Sequence, residues 1–245
     1  MTAADALPPL PSLFRPVMLR EGGDAMARAV ELAPEEGPQT PSSRGAPSSV
    51  SPSRGAGTLV WVRAYARCEA AVVLEPEQPL AQARLAFHAG ANALADALAA
   101  LAPPERPIRL RWPGTLMVHG AACGRVRLSV PPGAAPGAPP AWLVLGFEAR
   151  LAHPEGFVPG SAPGETSLAE EGFEELAPAR LVHGWALHLM AGLDEWQARG
   201  PRRVAERFLA RLDDFDGARR GVDPADGALV VEHEGGARER WELPG

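Results

Sequence analysis

The sequence contains no lysine: all 24 basic residues are arginine. Chemistry that needs a lysine side chain as nucleophile, Schiff base or titrating ammonium is excluded, because arginine stays a permanent cation. Alanine, arginine, glycine and proline abound, the composition of a GC-rich coding sequence. Cysteine is scarce. Cys68 and Cys123 make neither a disulfide framework nor a zinc site, and no CxxC or HExxH pattern occurs. No run approaches the roughly 20 apolar residues of a transmembrane helix. The start, MTAADALPPLPSLF, lacks the basic residues and long apolar stretch of a signal peptide. A reducing cytoplasm is the expected compartment. The formal charge of −6 offers no global basic field, so neither nucleic acid nor a membrane is expected as partner.

What is present suffices for one large domain with a small appendage: 245 residues, 46% of them hydrophobic. Residues 1–33 read as a proline-rich extension, a short strand and a helix. Met26, Ala29, Val30 and Ala33 give that helix its apolar period, and Pro34 stops it. Residues 34–56 read as a Pro/Ser/Gly-rich insertion with Val50 as its only large apolar residue, too little to offset the entropy of ordering it. A core is predicted over 57–212. GTLVWV and AAVVLEP read as strands joined by a polar connection at 63–69, followed by one long Ala/Leu helix from Pro79 to Leu101. Residues 108–112, 115–119 and 124–130 read as strands, the first alternating apolar and basic positions. AWLVLGFEARL is a further strand, 152–167 are irregular, and 168–174 start a helix or turn. Helices follow at 179–198 and from Pro201. In the last segment, 213–245, GALVVEHEGGARERWEL places two strand-like runs around Gly235-Gly236, a small β element. The expected class is α+β, a mixed sheet covered by helices.

Residues 111–128, RWPGTLMVHGAACGRVRL, resemble the catalytic core of the biotin/lipoate protein ligase family. Arg111, Trp112 and Pro113 match the family's basic-Trp-Pro start. Leu116 to Val118 match its apolar strand, Gly120 its turn and Gly124 the small residue after it. GTLVWV looks like the strand entering the family's adenylate-binding loop, and AWLVLGFEARL like the strand that ends in its Gly-x-Gly-x-Asn. The resemblance spans 14–33 and 57–212 and implies the ligase fold. It also implies a two-step reaction. ATP and Mg2+ activate a biotin or lipoate carboxylate as the acyl-adenylate, and the acyl group passes to a lysine of a carrier domain. The ligand-binding residues it implies are Arg63, Arg67, Arg111, Trp112, Pro113, Gly120 and Gly124.

The departures from the family are chemical. Its turn lysine falls at Ala122, its Asn-Asp pair at Gly114 and Thr115, and the asparagine after the last core strand at Arg150. Only Arg63 and Arg67 remain of the adenylate loop. Arg111 is the best anion contact, and Arg125 a weaker substitute for the lost lysine. The catalytic residue is therefore open. Beside the ligase reading stand a non-catalytic ligand- or carrier-binding relative and an ATP-independent acyltransferase. For the last, Cys123 is the candidate nucleophile, with His119 as its nearest base. Trp61, Trp112 and Trp142 are candidates to line an acyl pocket, whereas Trp185 and Trp196 have core spacing. His183 and His188 are five apart, poor metal spacing, and no metal site is predicted. Glu170, Glu171, Glu174 and Glu175 read as a solvated acidic face.

Overall fold

The computed structural model describes residues 6–34, 55–154, 156–158, 161–173, 176–215 and 217–244. Among these the chain forms ten strands and five helices, an α+β arrangement with one large mixed sheet and one small sheet. The insertion and the pair Glu174 and Glu175 fall wholly or mostly outside the described residues. No helix among them is long and apolar enough to cross a membrane.

The large sheet contains β1 (Arg15–Leu19), β2 (Thr58–Arg63), β3 (Arg67–Leu74), β4 (Ile108–Arg111), β5 (Thr115–Val118), β6 (Ala121–Ser129) and β7 (Leu143–Arg150). Their order is β1-β2-β3-β7-β6-β5-β4; β1 is parallel to β2 and the other pairs are antiparallel. One face carries α1 (Ala25–Leu32), which seats Ala25, Met26 and Ala29 against Val60, Val62, Ala71, Val73 and Val144. Asp24 caps this helix by accepting the Ala27 N–H at 2.9 Å. The other face carries α3 (Ala86–Ala99), α4 (Pro178–Arg199) and α5 (Arg202–Arg211) around the main core. Small residues let α3 approach closely. A Cβ on Gly90 would lie 2.8 Å from Leu145, and the Gly90 carbonyl accepts the Trp185 indole N–H at 3.2 Å.

Several local expectations shift. The long helix is broken at Arg84 and Leu85, leaving α2 (Leu80–Ala83) before α3. The polar connection shrinks to Ala64–Ala66 because β3 already starts at Arg67. Of the two alternatives for 168–174, a helix or a turn, the described residues 168–173 take the turn. The third strand, β6, begins at Ala121 rather than Gly124. The turn before it uses His119 and Gly120 with φ of 50° and 84°, the left-handed geometry a two-residue hairpin needs. The tail forms three strands: β8 (Arg219–Val222), β9 (Leu229–Glu232) and β10 (Arg238–Trp241), in order β10-β9-β8.

That small sheet is held by side-chain donors on carbonyls of the segments flanking its strands. His88 Nε2 lies 2.8 Å from the Gly227 oxygen, and Arg84 donates to the Leu243 and Pro244 carbonyls at 3.1 and 2.9 Å. The β4 edge is closed by Leu212, which bridges Leu110, and by the Asp213 N–H bonded to the Leu110 carbonyl at 2.8 Å. An edge so covered does not recruit another strand.

Candidate functional site

On the α1 side of the sheet, α1 packs over β2, β3 and β7. Beyond β7 that face carries charge. Cross-strand register puts Arg111, Thr115, Arg125, Glu148 and Glu69 in one row from β4 to β3. Residues directly opposite in a ladder project to the same side. The next pair along β3 and β7 is Arg67 and Arg150, also directly opposite each other. The face thus gathers arginines from four strands and intersperses carboxylates.

Most of these cations already have acidic partners. Arg125 meets Glu148 at 3.1 Å and Arg67 meets Glu69 at 3.5 Å. Arg67 also donates to the Gly23 carbonyl, tying β3 to the loop before α1. Glu69 is 3% exposed. Burial raises its carboxyl above the ordinary range, and Asp24 and Glu148 raise it further, against the Ala25 N–H bond and Arg67. Asp24 is held below its ordinary range, chiefly by the Ala27 N–H, and a side-chain hydrogen bond links it to Glu69. Glu69 therefore holds a proton more readily than Asp24 does.

At the end of this face a strap crosses β6. The Ala122 N–H donates to the Gly164 carbonyl at 2.7 Å, and the Thr166 N–H donates back to the Ala122 carbonyl at 2.9 Å. Arg150 clamps the strap, meeting Glu165 at 2.8 Å and donating to the Thr166 carbonyl at 3.3 Å. Farther along, Leu168 and Ala169 donate to the carbonyls of Arg150 and Leu151, each at 2.9 Å. The Thr166 hydroxyl donates to Glu171 at 2.9 Å, and His153 meets Glu170 at 2.7 Å.

The residues singled out in the sequence separate into three places. Arg67, Arg111 and Arg125 share the charged face. Arg63 sits at the end of β2 and lines a cavity of about 440 Å³ with Tyr65, Leu151, Leu168, Phe173 and Leu176. By strand alternation Arg63 projects with Trp61 toward the α4 side, away from Arg67. Trp112 packs its ring against His88 and Phe208, and its N–H donates to Asp214 Oδ2 at 2.5 Å. Pro113 follows Trp112 through a cis peptide. Gly114 has a steric reason: a Cβ there would lie 2.5 Å from Phe87 Cζ. Gly120 forms the hairpin turn. Gly124 lets β6 approach β7, since a Cβ would lie 2.4 Å from the Glu148 carbonyl.

Cys123 is the extra residue of a β-bulge, because Leu116 pairs Gly124 while Met117 pairs Ala122. It is 2% exposed. Burial, with Glu171 adding and Arg150 opposing, pushes its thiol up to about 12. His119 turns to Arg106 and Glu171, at 3.2 and 3.6 Å, instead of to the thiol. Cys68 is buried as well, its thiol raised by burial and then by Glu69, with Sγ 3.7 Å from the Pro178 carbonyl. Trp61 and Trp142 are core residues on opposite faces. Among the described residues no group of three His, Cys, Asp or Glu side chains could hold a metal ion. Sequence reasoning missed Glu69, Glu165 and Asp214. Only Glu69 had a local signal, a charge inside an otherwise apolar strand.

Residues 10–210 match the biotin/lipoate A/B protein ligase family. The chain is similar to a crystal structure of a biotin protein ligase-like protein of unknown function from Silicibacter sp. TM1040. They share 28% identity over 95% of this chain and 96% of that one, with a TM-score of 0.75. The fold alone is shared with two more distant proteins. One is biotin protein ligase from Aquifex aeolicus in complex with biotin and ATP: 12% identity, 93% and 95% coverage, TM-score 0.63. The other is the Leishmania major enzyme in complex with biotinyl-5-AMP: 14% identity, 95% and 100% coverage, TM-score 0.55. No curated protein sequence matches. With more than half its length matched, and with the fold and site described, the chain belongs to the biotin/lipoate A/B protein ligase family.

Proposed function

We propose that this chain binds a biotin- or lipoate-like carboxylic acid on the charged face without activating it as an acyl-adenylate. The observation that carries the reading is at Ala122. The family resemblance puts a lysine there; here the position has no charge, and its backbone is taken up by Gly164 and Thr166. The cations that remain support holding one carboxylate: Arg67 and Arg150 stand opposite each other on β3 and β7, and paired guanidiniums recognise a planar carboxylate well.

The same residues do not fit a nucleotide triphosphate with Mg2+. Glu148, Glu69 and Glu165 meet Arg125, Arg67 and Arg150 one for one, so these pairs offer no surplus of positive charge for a polyanion, whereas a monocarboxylate can exchange with the exposed Glu165 on Arg150. These carboxylates would repel phosphate oxygens, and the carboxylate lost at Thr115 leaves that position between Arg111 and Arg125 without an acidic group. Phosphoryl chemistry rests on unopposed positive charge at the transferred group. No step through ATP is derived for this chain.

A second reading, an arginine-based ligase that modifies a biotinyl- or lipoyl-carrier domain, is favoured by one observation. Arg111 and Arg125 flank Thr115 in a single row. Calorimetric titration with biotin, lipoate and octanoate, each with and without ATP and Mg2+, separates the two readings when run beside a pyrophosphate-release assay. The expected result is a heat of binding for at least one acid, indifferent to ATP, with no pyrophosphate. Acid-dependent pyrophosphate release overturns the proposal in favour of the ligase. Absence of heat with all three acids removes the acid-binding assignment.

A further inference from the structure

We infer that the Glu165 carboxylate occupies, on Arg150, the place that an incoming ligand carboxylate takes, which makes the Gly164–Thr166 strap an internal competitor of the ligand. The inference rests on the acid-binding reading above and adds to it the group that gates the site.

Three observations converge. Arg150 belongs to the charged face by register, directly opposite Arg67. Its carboxylate partner comes not from the sheet but from a separate segment, at 2.8 Å. That segment also lies across Ala122 through two backbone hydrogen bonds. A displacement of the strap as a whole therefore frees a guanidinium and uncovers the Ala122 backbone together.

The strap is anchored asymmetrically. On its far side Leu168 and Ala169 bond to the β7 end, and the Thr166 hydroxyl, Glu171, Glu170 and His153 form a network. On its near side Gly164, at φ 84°, offers a backbone position free of side-chain strain. The Glu165 side chain is 50% exposed and that of Arg150 35%. An ion pair so exposed is weak, so a ligand carboxylate can displace it; a buried pair would resist. The displaced carboxylate goes to water, and Arg150 exchanges one carboxylate partner for another. Charge on the face is conserved, which suits a monocarboxylate better than a polyanion.

The test compares the wild-type chain with Glu165→Gln, Arg150→Gln and Glu232→Gln, the last a control of equal charge change on the small sheet. Octanoate, lipoate and biotin are titrated calorimetrically, and amide hydrogen exchange is followed at Ala122 and Thr166. Glu165→Gln is expected to bind the acid about two- to five-fold more tightly, the scale of an exposed ion pair. Arg150→Gln is expected to lose binding, and Glu232→Gln to leave it unchanged. Ligand is expected to speed exchange at Ala122 and Thr166 in the wild type. An acid that binds the wild type but gains nothing from Glu165→Gln, or that slows exchange at both amides, overturns the gate and leaves acid binding standing. An acid that binds neither protein overturns both. Thermal melts of all four proteins establish that each is folded.

Discussion

His88 makes a sharp energetic test of how the small sheet is held to the core. It lies on α3, fully buried, with its ring 4.2 Å from that of Phe208 and 5.9 Å from those of Phe87 and Trp112. Nε2 donates to the Gly227 carbonyl, and Nδ1 has no partner. Burial pulls the imidazole from its ordinary 6.5 down to about 4, partly opposed by the Gly227 contact. The folded state thus prefers neutral His88, while the unfolded chain takes up a proton from pH 6.5 downward. The stabilisation is complete above pH 6.5 and is lost as the pH falls toward 4. A displacement of about 2.5 units, at 1.36 kcal/mol per unit, is worth about 3 kcal/mol at the acid end. Other groups titrate in the same window, so the informative quantity is a difference between proteins. Urea unfolding of wild type and His88→Gln at a series of pH values from 7.5 to 4 supplies it. Glutamine retains a donor for Gly227 but cannot titrate. The stability gap between the two proteins is expected to change by about 3 kcal/mol across the series, the wild type losing more. Parallel pH profiles would refute the argument, since they would mean that the buried ring takes up its proton as easily as the unfolded one.

Two further outcomes test the core and the domain map. Pro34 and Gly55, which flank the segment outside the described residues, lie against each other: a Cβ on Gly55 would be 2.3 Å from Pro34 Cδ. Deleting residues 36–53 and joining the ends by a short Gly/Ser link is expected to raise stability by roughly 1 kcal/mol through reduced loop entropy; loss of the cooperative thermal transition would show that the segment is needed to fold. For the cysteines, a thiol pushed up to about 12 leaves Cys123 almost wholly protonated at pH 8. Disulfide-reagent labelling of the native protein is therefore expected to be slow and to accelerate in urea; fast native labelling of Cys123 would revive acyl transfer through a thioester.

Much of the fold was legible because its causes are local. Runs such as LVWV and AAVVL are apolar without a break, as strands buried on both faces must be. Asp24 before an apolar helical period marks a helix start, and His119-Gly120 marks a hairpin. The misreadings also have local causes. The alanine-rich stretch from Leu80 to Ala99 gives no hint of the break at Arg84, whose side chain reaches the carbonyls of Leu243 and Pro244, about 160 residues away. β8 was missed because RRGV lacks an apolar alternation; it exists because β9 beside it is buried and needs a partner on each side.

The site was less legible, because the departures from the family pattern at 114, 122 and 150 are answered by residues distant in sequence. Gly114 stands where the resemblance puts asparagine, and the space a side chain would need is held by Phe87. Ala122 stands where it puts lysine, and its backbone is bonded to Gly164 and Thr166. Arg150 stands where it puts asparagine, and its charge is met by Glu165. The Trp112 amide, at the head of the recognisable motif, is taken by Asp214 from the segment after α5. Had these substitutions accumulated independently in a site that had merely lost its use, voids and unpaired polar groups would be expected at the vacated positions, since packing and polar satisfaction are enforced only where something selects for them. Instead, Gly114 is filled by Phe87 and Arg150 is charge-compensated by Glu165, while Ala122 and Trp112 have their backbone groups satisfied from elsewhere in the chain. A phenylalanine at 87 forbids a side chain at 114. The strap bonded to the backbone at 122 also carries the carboxylate that meets the guanidinium at 150. The altered residues at 114, 122 and 150 are therefore each met from elsewhere in the chain, and restoring the lysine alone would return an ammonium to β6 without the Asn-Asp pair and the asparagine that accompany it in the family pattern.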